Sequence, residues 1–181
     1  ALCGPSGVGK TSLTAHIVES LDPNCYKPAL LHYAGYNRSG LLRAVADRLG
    51  VDTNGRSVPM LVRLQKHLLG LTQSSNSLYP VVFVDDAQLL EKESMMDLCS
   101  LTACADKKTV AASIVLTGDD TLRHRLALAS MAPVESRLTA VFPLDPLDEK
   151  QSKLFIKHRM EQAKATKELI EEDALDMIAA H

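Results

Sequence analysis

The sequence predicts an α/β fold in which apolar strands alternate with amphipathic helices around a phosphate-binding loop. Three observations carry that prediction. Residues 4–11 read Gly-Pro-Ser-Gly-Val-Gly-Lys-Thr and satisfy the spacing G-x-x-x-x-G-K-S/T. Residues 79–86, Tyr-Pro-Val-Val-Phe-Val-Asp-Asp, form a continuous apolar run closed by two carboxylates, the composition of a buried parallel strand. Runs of strand and of helix character then alternate up to Asp145, beyond which only helical periodicity remains.

The loop comes first. Gly4, Gly7 and Gly9 let the backbone turn through conformations closed to other residues, so that successive N–H groups converge on an anion. Lys10 adds a compact positive charge facing the outer phosphates of a nucleotide, and the Thr11 hydroxyl is placed to ligate Mg²⁺. Gly4, Pro5, Ser6, Gly7, Val8, Gly9, Lys10, Thr11 and Ser12 are therefore the candidate nucleotide-binding residues. Leu13, Ile17 and Leu21, spaced by four, make one apolar stripe on a helix that starts where the motif requires one, and its positive end adds to the anion site. A buried strand is expected before the loop, but only Ala1, Leu2 and Cys3 stand there. The expectation is a first strand cut short within a longer protein.

Asp22-Pro23-Asn24 breaks the helix, and residues 28–35 read as a short second strand. Leu41, Leu42, Val45 and Leu49 fall at helical spacing before Gly50, and Leu61, Leu64, Leu68 and Leu71 do so again. The first of these helices follows Asn37-Arg38-Ser39, and the second follows Ser57 and Pro59.

Burying carboxylates at the end of the third strand, 79–86, is costly unless a cation compensates them. Asp85 is accordingly a candidate metal residue and Asp86 a candidate water-polarising base, although strands also end in Asp to form turns. Residues 89–104 are helical in pattern, and 110–118 form a fourth strand ending in Thr117 and Gly118. Thr117 is either a polar sensor beside the Asp85–Asp86 strand or the cap of the next helix, a role open equally to Asp119 and Asp120. A helix over 122–128 carries Arg123, His124 and Arg125; a Ser-Met-Ala-Pro loop leads to Arg137 and to a fifth strand over 139–144. Arg137 is a candidate finger completing a neighbouring subunit's site, or else an ordinary surface residue. From Asp145 the pattern is helical, over 151–167 and 171–180, which divides the chain into a 1–145 α/β domain and a 146–181 helical start.

Composition excludes other classes. The chain has 181 residues, 46% hydrophobic and 23% charged, enough for one ordinary core and a small appendage. Twenty basic against twenty-two acidic residues, a net charge of −2, lack the gross electrostatic footprint of a dedicated nucleic-acid binder. No run of eighteen apolar residues predicts a membrane span, and no signal peptide is visible. Cys3, Cys25, Cys99 and Cys104 form no C-x-x-C pair and predict neither zinc nor disulfides; they read as reduced core cysteines of a cytoplasmic protein.

Taken together, residues 4–11, the Val84-Asp-Asp-Ala-Gln-Leu-Leu90 segment, Leu116-Thr-Gly-Asp-Asp-Thr-Leu-Arg123, Ser136-Arg-Leu138 and Phe155-Ile-Lys-His-Arg-Met-Glu-Gln-Ala163 resemble the AAA+ P-loop ATPases. The resemblance is nearest to the group holding the ExeA/GspA-type secretion ATPases and the TniB/TnsC-type transposon helper ATPases. It implies a three-layer α/β/α domain with a five-stranded parallel sheet, followed by the start of a helical lid whose second sensor arginine would lie beyond His181. It also implies ATP and Mg²⁺, catalytic roles for Lys10, Asp86, Thr117 and Arg137, metal roles for Thr11 and Asp85, and homo-oligomers in which Arg137 completes a neighbour's site. Asp86 stands where the family has Glu, one methylene longer, which implies slow hydrolysis.

The leading functional expectation is an ATPase that regulates a partner as a DNA transposition helper, with duplex DNA and a transposase as partners. The alternatives are an ATPase of a secretion or envelope-assembly machine and a signalling or defence nucleotide switch.

Overall fold

The computed structural model describes residues 1–33, 35–54, 58–74, 76–102, 110–164 and 170–179. The chain divides into two compact units, Ala1–Leu144 and Asp145–His181.

Five parallel strands form the sheet of the first unit: β1 (Leu2–Cys3), β2 (Tyr26–His32), β3 (Tyr79–Asp85), β4 (Ser113–Gly118) and β5 (Phe142–Pro143), in the order β2-β3-β4-β1-β5. Its helices are α1 (Lys10–Ser20), α2 (Arg38–Leu49), α3 (Met60–Gln73), α4 (Lys92–Leu101), α5 (Asp120–Leu126) and the short α6 (Ala132–Glu135). This is the α/β/α P-loop fold that the sequence implies. Because every strand runs the same way, the segments leaving β1, β3 and β4 emerge along one edge of the sheet, where open α/β folds place their ligands.

Side chains alternate across the strands. On one face, Val82 and Val84 of β3 join Leu41, Val45 and Leu49 of α2, Leu64 and Leu68 of α3, and Met95, Leu98 and Leu101 of α4 in the principal core. Each such side chain contributes about 1.5–3 kcal/mol on burial. On the opposite face, Val81 and Phe83 line an apolar cavity of about 1050 Å³ with Leu13 and Ile17 of α1 and with Leu21, which follows that helix. The apolar stripe expected on α1 therefore faces the sheet across a cavity, with Ile17 37% exposed and Thr14 the helix's buried residue.

Helix limits follow local chemistry. Asn37 caps α2 by accepting from the Gly40 N–H at 2.8 Å, and Gly50 closes it in the left-handed conformation (φ 80°). Pro59 starts α3, and the Ser57 assigned to its amino-terminal signal lies outside the described residues. Asp119, not Thr117 or Asp120, caps α5 by accepting from the Thr121 N–H at 2.9 Å.

Several expected limits shift for identifiable reasons. The second strand starts at Tyr26 and ends at His32, the residue opposite the end of β3 at Asp85. Pro28 is tolerated inside it because, among the described residues, β2 has a neighbour on one side only. The Cys25 carbonyl accepts from Tyr79 and the Tyr33 N–H donates to Asp85, so two-residue alternation turns the nitrogen of Pro28 to the outer edge. The fourth strand begins at Ser113, in register with Val81, instead of residue 110. The fifth is assigned to Phe142 and Pro143, which pair with Leu2 and Cys3 of β1. The helix expected from Leu89 begins at Lys92, because Ala87–Leu89 form a 3₁₀ turn first; its expected end at Cys104 lies outside the described residues. The Ser-Met-Ala-Pro stretch is helical instead of a loop, as Ala129–Met131 form a 3₁₀ turn and Pro133 sits in the first turn of α6, where no N–H is needed. Cys3 is buried, but Cys25 is exposed, which corrects its reading as a core residue; Cys104 lies outside the described residues.

The second unit holds α7 (Glu149–Gln162) and α8 (Glu172–Ala179). A reciprocal cap starts α7: Asp148 accepts from the Gln151 N–H while the Gln151 side chain accepts from the Asp148 N–H. Lys153 ties the helices together, bridging Glu149 at 2.8 Å and Asp176 at 2.7 Å. The helix expected to reach Lys167 stops at Gln162, and Lys167 and Ala180 lie outside the described residues. Among the described residues no helix is long and apolar enough to cross a membrane.

Candidate functional site

Residues 4–9 leave β1 and return into α1, so that the loop is strung between a strand end and a helix start. Gly7 (φ 85°) and Gly9 (φ 95°) both occupy the left-handed region, and a Cβ added at either would meet nothing within 4 Å. The loop is thus an open cradle that side chains would begin to fill. Gly9 offers the helix no side-chain cap, and the first turn of α1 holds no acidic residue. Its orphan N–H groups and positive end therefore suit an anion. Lys10 Nζ donates to the loop's own carbonyls, Gly4 at 2.8 Å and Pro5 at 2.7 Å, which holds the cation over the cradle.

Asp85 lies at the centre of the site with 3% exposure. Its carboxylate accepts from the Thr11 hydroxyl at 2.6 Å, from the buried Thr117 hydroxyl, and from the Asp86 N–H at 3.1 Å. His32 Nδ1 stands 3.4 Å away, brought there by the β2–β3 register that sets His32 opposite Asp85. Burial pushes the Asp85 carboxyl up, but the Thr11, Thr117 and Asp86 hydrogen bonds, with His32 facing it, outweigh burial and hold it below the usual carboxylate range.

Asp86 is exposed and leaves the strand in the left-handed conformation (φ 54°), uncommon for a residue with a side chain. Gln88 Nε2 donates to Asp86 Oδ1 at 3.1 Å. Arg137 is exposed after α6, where its guanidinium donates to the Cys99 carbonyl at the end of α4 at 2.9 Å.

Of the residues singled out in the sequence, Lys10, Thr11, Asp85, Asp86 and Thr117 fall at the loop and the strand ends beside it, whereas Arg137 stands apart on the surface. His32, Gln88 and Arg125 were not among the candidate site residues. Their positions depend on strand register and on the return of α5, which no local spacing encodes.

A hard, oxygen-seeking cation fits the donor set: Thr11 and Asp85 present a hydroxyl and a carboxylate side by side, and Mg²⁺ takes most of its remaining ligands from water and phosphate. The exposed Asp86 carboxylate can accept a proton from water.

The sequence matches the family described as AAA domain over residues 1–126. No curated protein sequence matches the chain significantly. Among solved structures, the chain is similar to Cdc6p from Pyrobaculum aerophilum, with a TM-score of 0.74 and 22% identity over 98% of this chain and 46% of that one. It is similar to the ORC2 protein of Aeropyrum pernix in its ADPNP-ADP complexes, with a TM-score of 0.68 and 17% identity over 88% and 45% of the two chains. It is also similar to the ORC1 protein of Aeropyrum pernix in complex with DNA, with a TM-score of 0.66 and 17% identity over 99% and 48%. The chain thus spans about half the length of these structures. At these identities the likeness is one of fold. The family match covers the loop, β1 to β4 and α1 to α5, and on that ground the chain belongs to the AAA domain family of P-loop ATPases.

Proposed function

We propose that this chain binds ATP with Mg²⁺, hydrolyses it slowly, and uses the ATP-bound state to assemble copies of itself on duplex DNA as a transposition helper of the TniB/TnsC type. The observation that supports the nucleotide reading is the hydrogen-bonded set Thr11, Asp85 and Thr117 beside an open glycine cradle whose carbonyls hold the Lys10 ammonium. The DNA reading is supported by the motif resemblance and by the likeness to a structure described as a complex with DNA.

In this reading the N–H groups of residues 4–12 cradle the phosphates and Lys10 neutralises their outer oxygens. Thr11 and Asp85 hold Mg²⁺, which neutralises phosphate charge when bound. Thr117 fixes the Asp85 carboxylate, and Asp86 orients a water and accepts its proton. The short Asp86 side chain reaches less far than a glutamate, which makes turnover slow. Arg137, exposed on the 1–145 ATPase domain, reaches a neighbouring copy's site, and residues 146–181 begin the lid. The protein works in the cytoplasm with a transposase as partner.

The test is light scattering and pelleting of the intact protein with Mg²⁺ and a slowly hydrolysed ATP analogue, with and without duplex DNA, at about 100 mM salt, since phosphate contacts weaken steeply with salt. Assembly that requires both ligands supports the proposal. Nucleotide-dependent assembly indifferent to DNA replaces it with the secretion-machine reading, and a monomer under all conditions replaces it with a nucleotide switch.

A further inference from the structure

The turn that carries Asp86 is fastened from outside. The half-buried Arg125 of α5 donates to two of its backbone carbonyls, those of Gln88 and of Leu90, the latter at 2.7 Å. Within the turn, the Leu89 N–H donates to the Asp86 carbonyl at 3.0 Å and the Leu90 N–H to the Ala87 carbonyl at 3.1 Å. Arg125 therefore takes up carbonyls that the short 3₁₀ turn leaves over. A fork of several fixed donors suits two carbonyls better than a lysine's single ammonium does.

Gln88 completes the arrangement. Its Nε2 holds Asp86 Oδ1, while its Oε1 is buried with no hydrogen-bond partner among the described residues, packed so closely against Gly118 that a Cβ there would stand 2.5 Å away. Turning the amide over would aim its oxygen at the Asp86 carboxylate, so the carboxylate fixes the orientation. A buried acceptor left unpaired costs stability, and an apolar side chain of similar shape would avoid that cost. Among the described residues, the one polar contact of its side chain is with Asp86.

We infer that Arg125 and Gln88 are positioning residues that together fix the carboxylate of Asp86: Arg125 sets the turn, and Gln88 sets the side chain. Thr117 holds Asp85 from β4, and eight residues later Arg125 holds the turn after Asp85 from α5. One strand–helix segment thus positions both acids. The inference rests on the proposed role of Asp86 in hydrolysis.

Three single variants of the intact protein, and the double variant Arg125→Met with Gln88→Leu, test it. Arg125→Met keeps the aliphatic stem and removes the donors; Gln88→Leu removes the amide and its orphan oxygen; Arg125→Lys returns one donor. Both Arg125→Met and Gln88→Leu are expected to lower kcat about tenfold or more while leaving the ATP Kd within about threefold. Gln88→Leu is expected to keep or raise Tm, which a merely structural glutamine would not do. Arg125→Lys should recover part of the rate, and the double variant should lose little more than the worse single one. In the nucleotide-free protein, Arg125→Met should speed amide exchange at Leu89 and Leu90 about tenfold with Val82 and Val84 unchanged. Unchanged turn exchange overturns the inference whatever the wild-type rate, as does a kcat loss matched by an equal loss of ATP affinity. A wild-type protein that binds ATP without turnover removes the hydrolysis reading and the role for Asp86, and the clamp then stands or falls on the exchange measurement alone.

Discussion

Thr11 Oγ1 and Asp85 Oδ2 lie 2.6 Å apart although 74 residues separate them in the chain, and this hydrogen bond joins the phosphate loop to the end of β3. The loop's helix and the acidic strand end are thereby held in register.

Thr117→Val keeps the shape of a fully buried side chain and removes a donor from Asp85, at an expected cost of about 1–3 kcal/mol. Because the folded Asp85 carboxyl sits below its ordinary value, the stability it contributes is present above a pH of about 4 and lost as pH falls through the folded value. Denaturant midpoints should therefore differ most between the two proteins near neutrality and converge in acid. A gap that persists unchanged at the lowest pH would argue against the hydrogen bond as its source.

Lys10→Ala removes the charge that the loop holds over its cradle, while the folded chain loses only hydrogen bonds to two loop carbonyls. ATP affinity should fall about tenfold or more by calorimetry, with little change in Tm. Unaltered affinity would sink the phosphate-loop reading.

Asp86→Asn should leave the ATP Kd nearly unchanged and reduce kcat about 10²- to 10⁴-fold. Turnover equal to wild type would move the base to another residue.

Arg137→Ala should retain nucleotide binding and lose hydrolysis in the assembled state, since the exposed guanidinium contacts no part of its own loop among the described residues. Mixing this variant with Lys10→Ala should restore some activity, because each supplies what the other lacks at a shared interface. Full activity of Arg137→Ala in an oligomer would refute the finger role.

Gly4→Ala probes packing instead of chemistry. An added Cβ would meet the Leu144 carbonyl oxygen at 2.1 Å, and a backbone oxygen has little room to yield. A loss of about 1–3 kcal/mol is expected by denaturant unfolding. Wild-type stability would mean that the chain after β5 moves freely.

The loop was legible because its geometry is local: the left-handed Gly7 and Gly9 and the Lys10 that bonds the Gly4 and Pro5 carbonyls lie within seven consecutive residues. Asp85 and Asp86 were legible because an apolar run ending in two acids is a costly thing to bury without cause. His32, Gln88 and Arg125 were not, since their roles arise only when β2 comes into register with β3 and α5 returns to the turn at Ala87–Leu89. Pro133 misled, because a proline excludes a helix interior and favours its first turn.

Pro28 has a consequence for how copies of this protein can meet. A bare outer strand is a ready template on which another chain can lay a strand of its own. Among the described residues β2 has no outer neighbour, and its outer row of amide donors is broken at Pro28, which has no hydrogen to give, so a second sheet cannot continue the first across this border without a gap. Growth by sheet extension, which has no natural end and leads to fibres, is thereby discouraged.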